Sequence, residues 1–75
     1  MSHDRHMEDL PVRLPIKLSQ FLKLANLVET GGHAHELIDA GEVYVNGARE
    51  TRRSHKLEAG DVVEAGGYTV RVQQA

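Results

Sequence analysis

The run Thr30-Gly31-Gly32-His33-Ala34-His35-Glu36-Leu37-Ile38-Asp39-Ala40-Gly41-Glu42-Val43-Tyr44-Val45-Asn46-Gly47 leaves the chain few ways to fold. Thr30 is a helix N-cap, Ala34, Leu37 and Ile38 recur at helical spacing, and Gly41 supplies a left-handed stop. Val43 and Val45 alternate with Tyr44, and Asn46-Gly47 is the strongest short-range signal for a tight hairpin. A helix, a stop, a short strand and a turn are thus compressed into 18 residues. Basic residues follow at once: Arg49, Arg52, Arg53 and Lys56, with His55 among them.

The flanks extend this pattern. Ser19 reads as the N-cap of a first helix whose apolar stripe is Phe21, Leu22, Ala25 and Val28, broadened by Leu18 and Leu24. After the hairpin, Gly60-Asp61 and Gly66-Gly67 are turn signals around Val62-Val63. A last strand sets Tyr68, Val70 and Val72 on one face and Thr69, Arg71 and Gln73 on the other. Residues 1–15, with Pro11, Pro15 and no apolar periodicity, read as a flexible or loosely docked arm, with order beginning near Ile16 and one domain filling residues 16–75. The expected fold class is α+β: two short helices packed on a small bent antiparallel sheet.

Composition bounds the chemistry. The chain has 75 residues and no cysteine, so it can hold neither a disulfide framework nor a thiolate metal site. No apolar run nears the roughly 18 residues of a spanning helix, and the acids Asp4, Glu8 and Asp9 are unlike a signal peptide. A cytoplasmic location and no membrane contact are expected. The net charge is −2, yet residues 49–56 hold four of the nine basic side chains and a single acid, Glu50. Local potential governs phosphate binding more than total charge does. Arg52 and Arg53 offer planar forks that match phosphate oxygens, and Lys56 a mobile point charge. Against this stands the plain reading of a solvated loop.

Taken in order, several fragments resemble the S4 RNA-binding domain family, and more closely its small stand-alone bacterial YbcJ-like members. The fragments are Ile16-Lys17-Leu18-Ser19-Gln20-Phe21-Leu22-Lys23, Gly31-Gly32-His33-Ala34, Gly41 to Gly47, Glu50-Thr51-Arg52-Arg53 and Gly60-Asp61-Val62-Val63. The resemblance implies the αL motif, in which two helices pack on a bent sheet. It also implies binding of structured RNA, ribosomal or transfer RNA, by a monomer without cofactor or catalysis. The candidate RNA-contacting residues are Lys17 just ahead of the first helix and Lys23 on its surface, and Thr30, Gly31, Gly32, His33 and His35 at the start of the second. Arg49, Arg52, Arg53, His55 and Lys56 complete the set.

The Thr30-Gly31-Gly32 opening can present backbone N–H groups to a phosphate, or serve simply as a cap and tight turn. His33 and His35, two apart on a helix, point in different directions and make a poor metal pair. Histidines stand where relatives often carry glutamine and lysine, which removes one dependable charge. The net acidity and these histidines also fit a protein-interaction module on the same scaffold with little RNA affinity.

Overall fold

A computed structural model of the chain describes residues 7–75. Its elements are β1 (Met7–Val12), β2 (Ile16–Lys17), α1 (Leu18–Leu24), α2 (Gly31–Asp39), β3 (Val43–Val45), β4 (Ala48–Arg49), β5 (Lys56–Leu57), β6 (Val62–Ala65) and β7 (Tyr68–Gln74). Five strands form one sheet in the order β1-β7-β6-β3-β4, while β2 and β5 form a separate two-residue ribbon. The apolar faces of both helices join Val43, Val45, Val63, Val70 and Val72 in a single core, with Phe21, Leu18, Leu22 and Ile38 fully enclosed.

Local chemistry explains the turns and stops. Asn46 and Gly47 both take positive φ, 53° and 83°, as a two-residue type I′ hairpin between β3 and β4 requires. Asn46 does more than turn the chain. Its side-chain oxygen accepts from the Val62 N–H at 2.9 Å, and its amide donates to Asp61 Oδ1 at 3.0 Å. The turn is thereby locked to β6. Both helices end in the same paired pattern. Leu27 N–H donates to the Leu22 carbonyl and Asn26 N–H to that of Lys23, while Glu42 N–H donates to Leu37 and Gly41 N–H to Ile38. The residue in the left-handed region is Asn26 in the first helix (φ 60°) and Gly41 in the second (φ 76°).

Four expectations are corrected. Residues Met7–Val12 are not an arm: they form an edge strand paired parallel with β7, from Met7 opposite Thr69 to Val12 opposite Gln74. The rest of the expected arm, residues 1–6, lies outside the described residues. The sheet is therefore mixed and not purely antiparallel. Pro11 is compatible with this because an edge strand has one side without ladder bonds. Helix α1 begins at Leu18, with Lys17 and not Ser19 at its cap. A lysine side chain has no acceptor, so only the reverse half of a capping arrangement forms, the Lys17 N–H donating to Gln20 Oε1 at 3.2 Å. Finally, Leu24 and Tyr68, read as apolar-face residues, are 58% and 66% exposed.

Replacing Asn46 with Ala should destabilise the fold by about 2 kcal/mol, since it removes the lock on Val62 and puts a Cβ-bearing residue without a polar side chain at positive φ. Ser19→Ala should stay within about 0.5 kcal/mol, because the hydroxyl caps nothing. Urea denaturation of both variants measures the contrast.

Candidate functional site

The segment between β4 and β5 is fastened at both ends. At its start, Glu50 N–H donates to the Val43 carbonyl at 2.9 Å. At its end, it meets the opening turn of α1, whose first amides have no partner within the helix. Leu18 N–H donates to the carbonyl of His55 at 2.8 Å and Ser19 N–H to that of Arg53 at 3.4 Å. The basic loop therefore takes the place of a side-chain cap. The ribbon continues this contact by pairing Ile16 with Leu57 and Lys17 with Lys56.

That register sets two exposed lysines directly across from each other, with no acidic partner among the described residues. Like charges in cross-strand positions oppose pairing. Lys17 and Lys56 are thus exposed cations beside the loop whose charge no carboxylate among the described residues pairs with.

The arginines are differently placed. Arg52 makes a two-pronged contact with Glu50, Nε to Oε2 at 2.8 Å and an Nη to Oε1 at 3.1 Å, and its backbone N–H donates to the same carboxylate at 3.0 Å. His55 Nδ1 sits 3.6 Å from Glu50 Oε1 and 3.4 Å from the Arg52 guanidinium. The Arg52 side-chain hydrogen bonds draw the Glu50 carboxyl down to about 2 against the opposing effect of burial, with the Arg52 N–H and neighbouring positive charge adding to them. Glu50, only 13% exposed, is the organising centre of the loop.

Arg53 reaches α2, with its guanidinium 3.3 Å from His35 Nδ1 and 3.5 Å from Asp39 Oδ2. Arg49 lies apart on edge strand β4, donating to the Tyr44 hydroxyl at 3.1 Å with its guanidinium carbon 5.6 Å from the ring centre.

At α2, the Thr30 hydroxyl accepts from the His33 N–H at 3.0 Å. A side chain added at Gly31 would meet nothing within 4 Å, and one at Gly32 only the Thr30 hydroxyl at 3.9 Å. The first turn of α2 is thus bare. His33 is exposed whereas His35 is half-buried against Arg53, so the two histidines do diverge. No group of metal-ligating side chains occurs among the described residues. Lys23 stands on the outer side of α1, beside a groove that also includes Arg13.

The structure therefore gathers Lys17, Arg52, Arg53, His55, Lys56 and His35 around the loop, and places Lys23 and Arg49 away from it. Sequence reasoning missed three features: Arg13, the Lys17–Lys56 register, and the role of Glu50. The Glu50-Thr51-Arg52 spacing was the available signal for the last, because a carboxylate two residues before an N–H can close a turn on it.

Comparisons with known proteins identify the family and the fold. The family model described as "S4 domain" matches residues 13–73. The chain is 47% identical over 53 residues to the Bacillus subtilis (strain 168) protein named "Probable ribosome maturation protein RlbA", covering 71% of this chain and 75% of that one. It is 40% identical over 57 residues to YbcJ of Escherichia coli (strain K12), covering 76% and 81% respectively. The solution structure of Escherichia coli YbcJ, described as revealing an αL motif involved in RNA binding, superposes with a TM-score of 0.67. That alignment is 34% identical and covers 97% of this chain and 96% of YbcJ.

The depressed Glu50 value makes loop stability pH-dependent. A carboxylate whose folded value lies below its ordinary 4.5 contributes stability that is present above pH 4.5 and lost as pH falls toward about 2. Urea unfolding of the parent chain should therefore weaken across that window. Glu50→Gln should be less stable at neutral pH and show a flatter acid decline.

Proposed function

The chain belongs to the S4 domain family, and from that membership we propose that it binds structured RNA through the face formed by α1, α2 and the loop between β4 and β5. The observation that carries the reading is the Lys17–Lys56 pair, two cations held opposite each other on a ribbon where their mutual repulsion is relieved by a polyanion. A phosphate backbone supplies that polyanion, and lysine meets it as a point charge. The bare start of α2 adds amides and a favourable dipole. Arg52, Arg53 and His55 extend the surface, with part of their charge already balanced by Glu50 and Asp39.

Docking is by shape and backbone, with no bond made or broken. Ribosomal RNA, or an intermediate of ribosome assembly, is the target that the relatives' names support. The chain acts as a monomer in the cytoplasm on this reading, and no helix among the described residues is long and apolar enough to cross a membrane.

A second reading, a protein-interaction module, is favoured by one feature. On the sheet face away from the helices, a cleft of about 730 Å³ is lined by Glu42, Tyr44, Glu64 and Tyr68, with no basic side chain. A partner bound there would be independent of the lysines.

Fluorescence anisotropy with a labelled RNA stem–loop and an equal-length DNA duplex, across a salt series, separates the two. RNA-preferring binding that falls steeply with salt is expected. Lys17→Glu with Lys56→Glu should lower affinity at least about tenfold and reduce the salt slope by about 1.5, the loss of two phosphate contacts. Arg52→Ala with Arg53→Ala should cost less, because those charges are partly compensated. Undiminished affinity in the lysine pair variant would overturn the site.

A further inference from the structure

Beside α1 runs a second basic feature, separate from the loop. A groove of about 450 Å³ opens between the outer side of the helix and the segment that joins β1 to β2. Its polar lining consists of Arg13, Ser19, Gln20 and Lys23, and no carboxylate contributes to it. Every one of these side chains can donate. Gln20 already uses its Oε1 to accept from the Lys17 N–H, which leaves its amide hydrogens for another acceptor. Arg13 and Lys23 have no acidic partner among the described residues.

The remaining lining is apolar. Pro15 is exposed and Leu24 is 58% exposed, while Leu18, Phe21 and Leu22 fill the core face of α1. Four donor side chains beside exposed apolar surface suit a ligand with oxygen acceptors on one side and a flat, weakly polar ring on the other. A nucleotide has that division: phosphate and ribose oxygens accept, and the base presents a face. Guanidinium planes such as that of Arg13 also stack on bases.

Position ties the groove to the surface already described. Ile16 and Gln20 line it, and Lys17 lies between them in sequence with its N–H bonded to Gln20. A strand whose phosphates rest at Lys17 and Lys56 can continue directly into the groove. We propose that the groove holds an unpaired nucleotide flanking the helical RNA docked at the lysine pair. The inference rests on the RNA-binding reading and adds a preference for a junction of paired and single-stranded RNA. Nothing in the lining pairs with a particular base edge, so the preference is for an unpaired flank of any sequence.

The test compares two labelled RNAs that share one stem–loop, only one of which carries a short unpaired flank, in anisotropy titrations at fixed salt. The parent chain should bind the flanked RNA about tenfold more tightly, the order of one base–side-chain stack with its phosphate contact. Arg13→Ala with Leu24→Ala, both at exposed positions, should bring that ratio close to one and leave affinity for the bare stem within about twofold. Lys17→Glu with Lys56→Glu should weaken both RNAs alike and keep the ratio. Equal affinity of the parent chain for the two RNAs, or a ratio that survives Arg13→Ala with Leu24→Ala, would assign the groove to another occupant and overturn the proposal. Binding of neither RNA would instead overturn the reading on which it rests.

Discussion

Helix α1 starts without a side chain able to cap it, and the loop between β4 and β5 supplies what is missing. Two carbonyls from that loop, those of His55 and Arg53, accept the N–H groups of Leu18 and Ser19. Unmet amides at a buried helix end cost free energy comparable to lost hydrogen bonds, so the loop cannot drift without penalising the helix. The same contact aligns β2 with β5 and thereby sets Lys17 against Lys56. Helix register, loop position and lysine spacing are a single structural decision.

The charge on this surface is sorted by that decision. Glu50 takes Arg52, Asp39 takes Arg53, and on the far strand Asp9 lies 3.4 Å from Arg71. Arginine, with its rigid fork, serves here chiefly to hold segments together. Lysine, whose flexible stem keeps its ammonium in water, stays available. In a chain of net charge −2, the ion pairs among the described residues engage arginines and leave the lysines without an acidic partner.

Features written in adjacent residues were the ones legible from sequence. Thr30 caps α2, Gly41 ends it, and Asn46-Gly47 turns the chain, each by backbone chemistry confined to a few positions. Apolar spacing gave the helix pair, and the family resemblance implied its packing on a bent sheet. Distant partners were not legible. Strand β1 carries Glu8, Asp9 and Pro11, which spoil an alternating pattern, and its identity as a strand depends on β7 almost a chain length away. Ser19 has the residue type of a cap, but the true cap position lies two residues earlier because loop carbonyls meet the helix there. Arg13 looked like part of a loose arm until the folded path laid it beside α1. Arg52 and Arg53 read as free charge because their carboxylate partners cannot be inferred from spacing alone.

The parallel pairing of β1 with β7 also orients the molecule for any tether. Parallel strands run the same way, so the chain enters β1 at one end of the sheet and leaves β7 at the other. Ala75 N–H donates to the Val12 carbonyl at 2.9 Å, one residue before Arg13. A tag, dye or surface linkage joined at Ala75 therefore emerges on the doorstep of the groove and carries its own charge into that field.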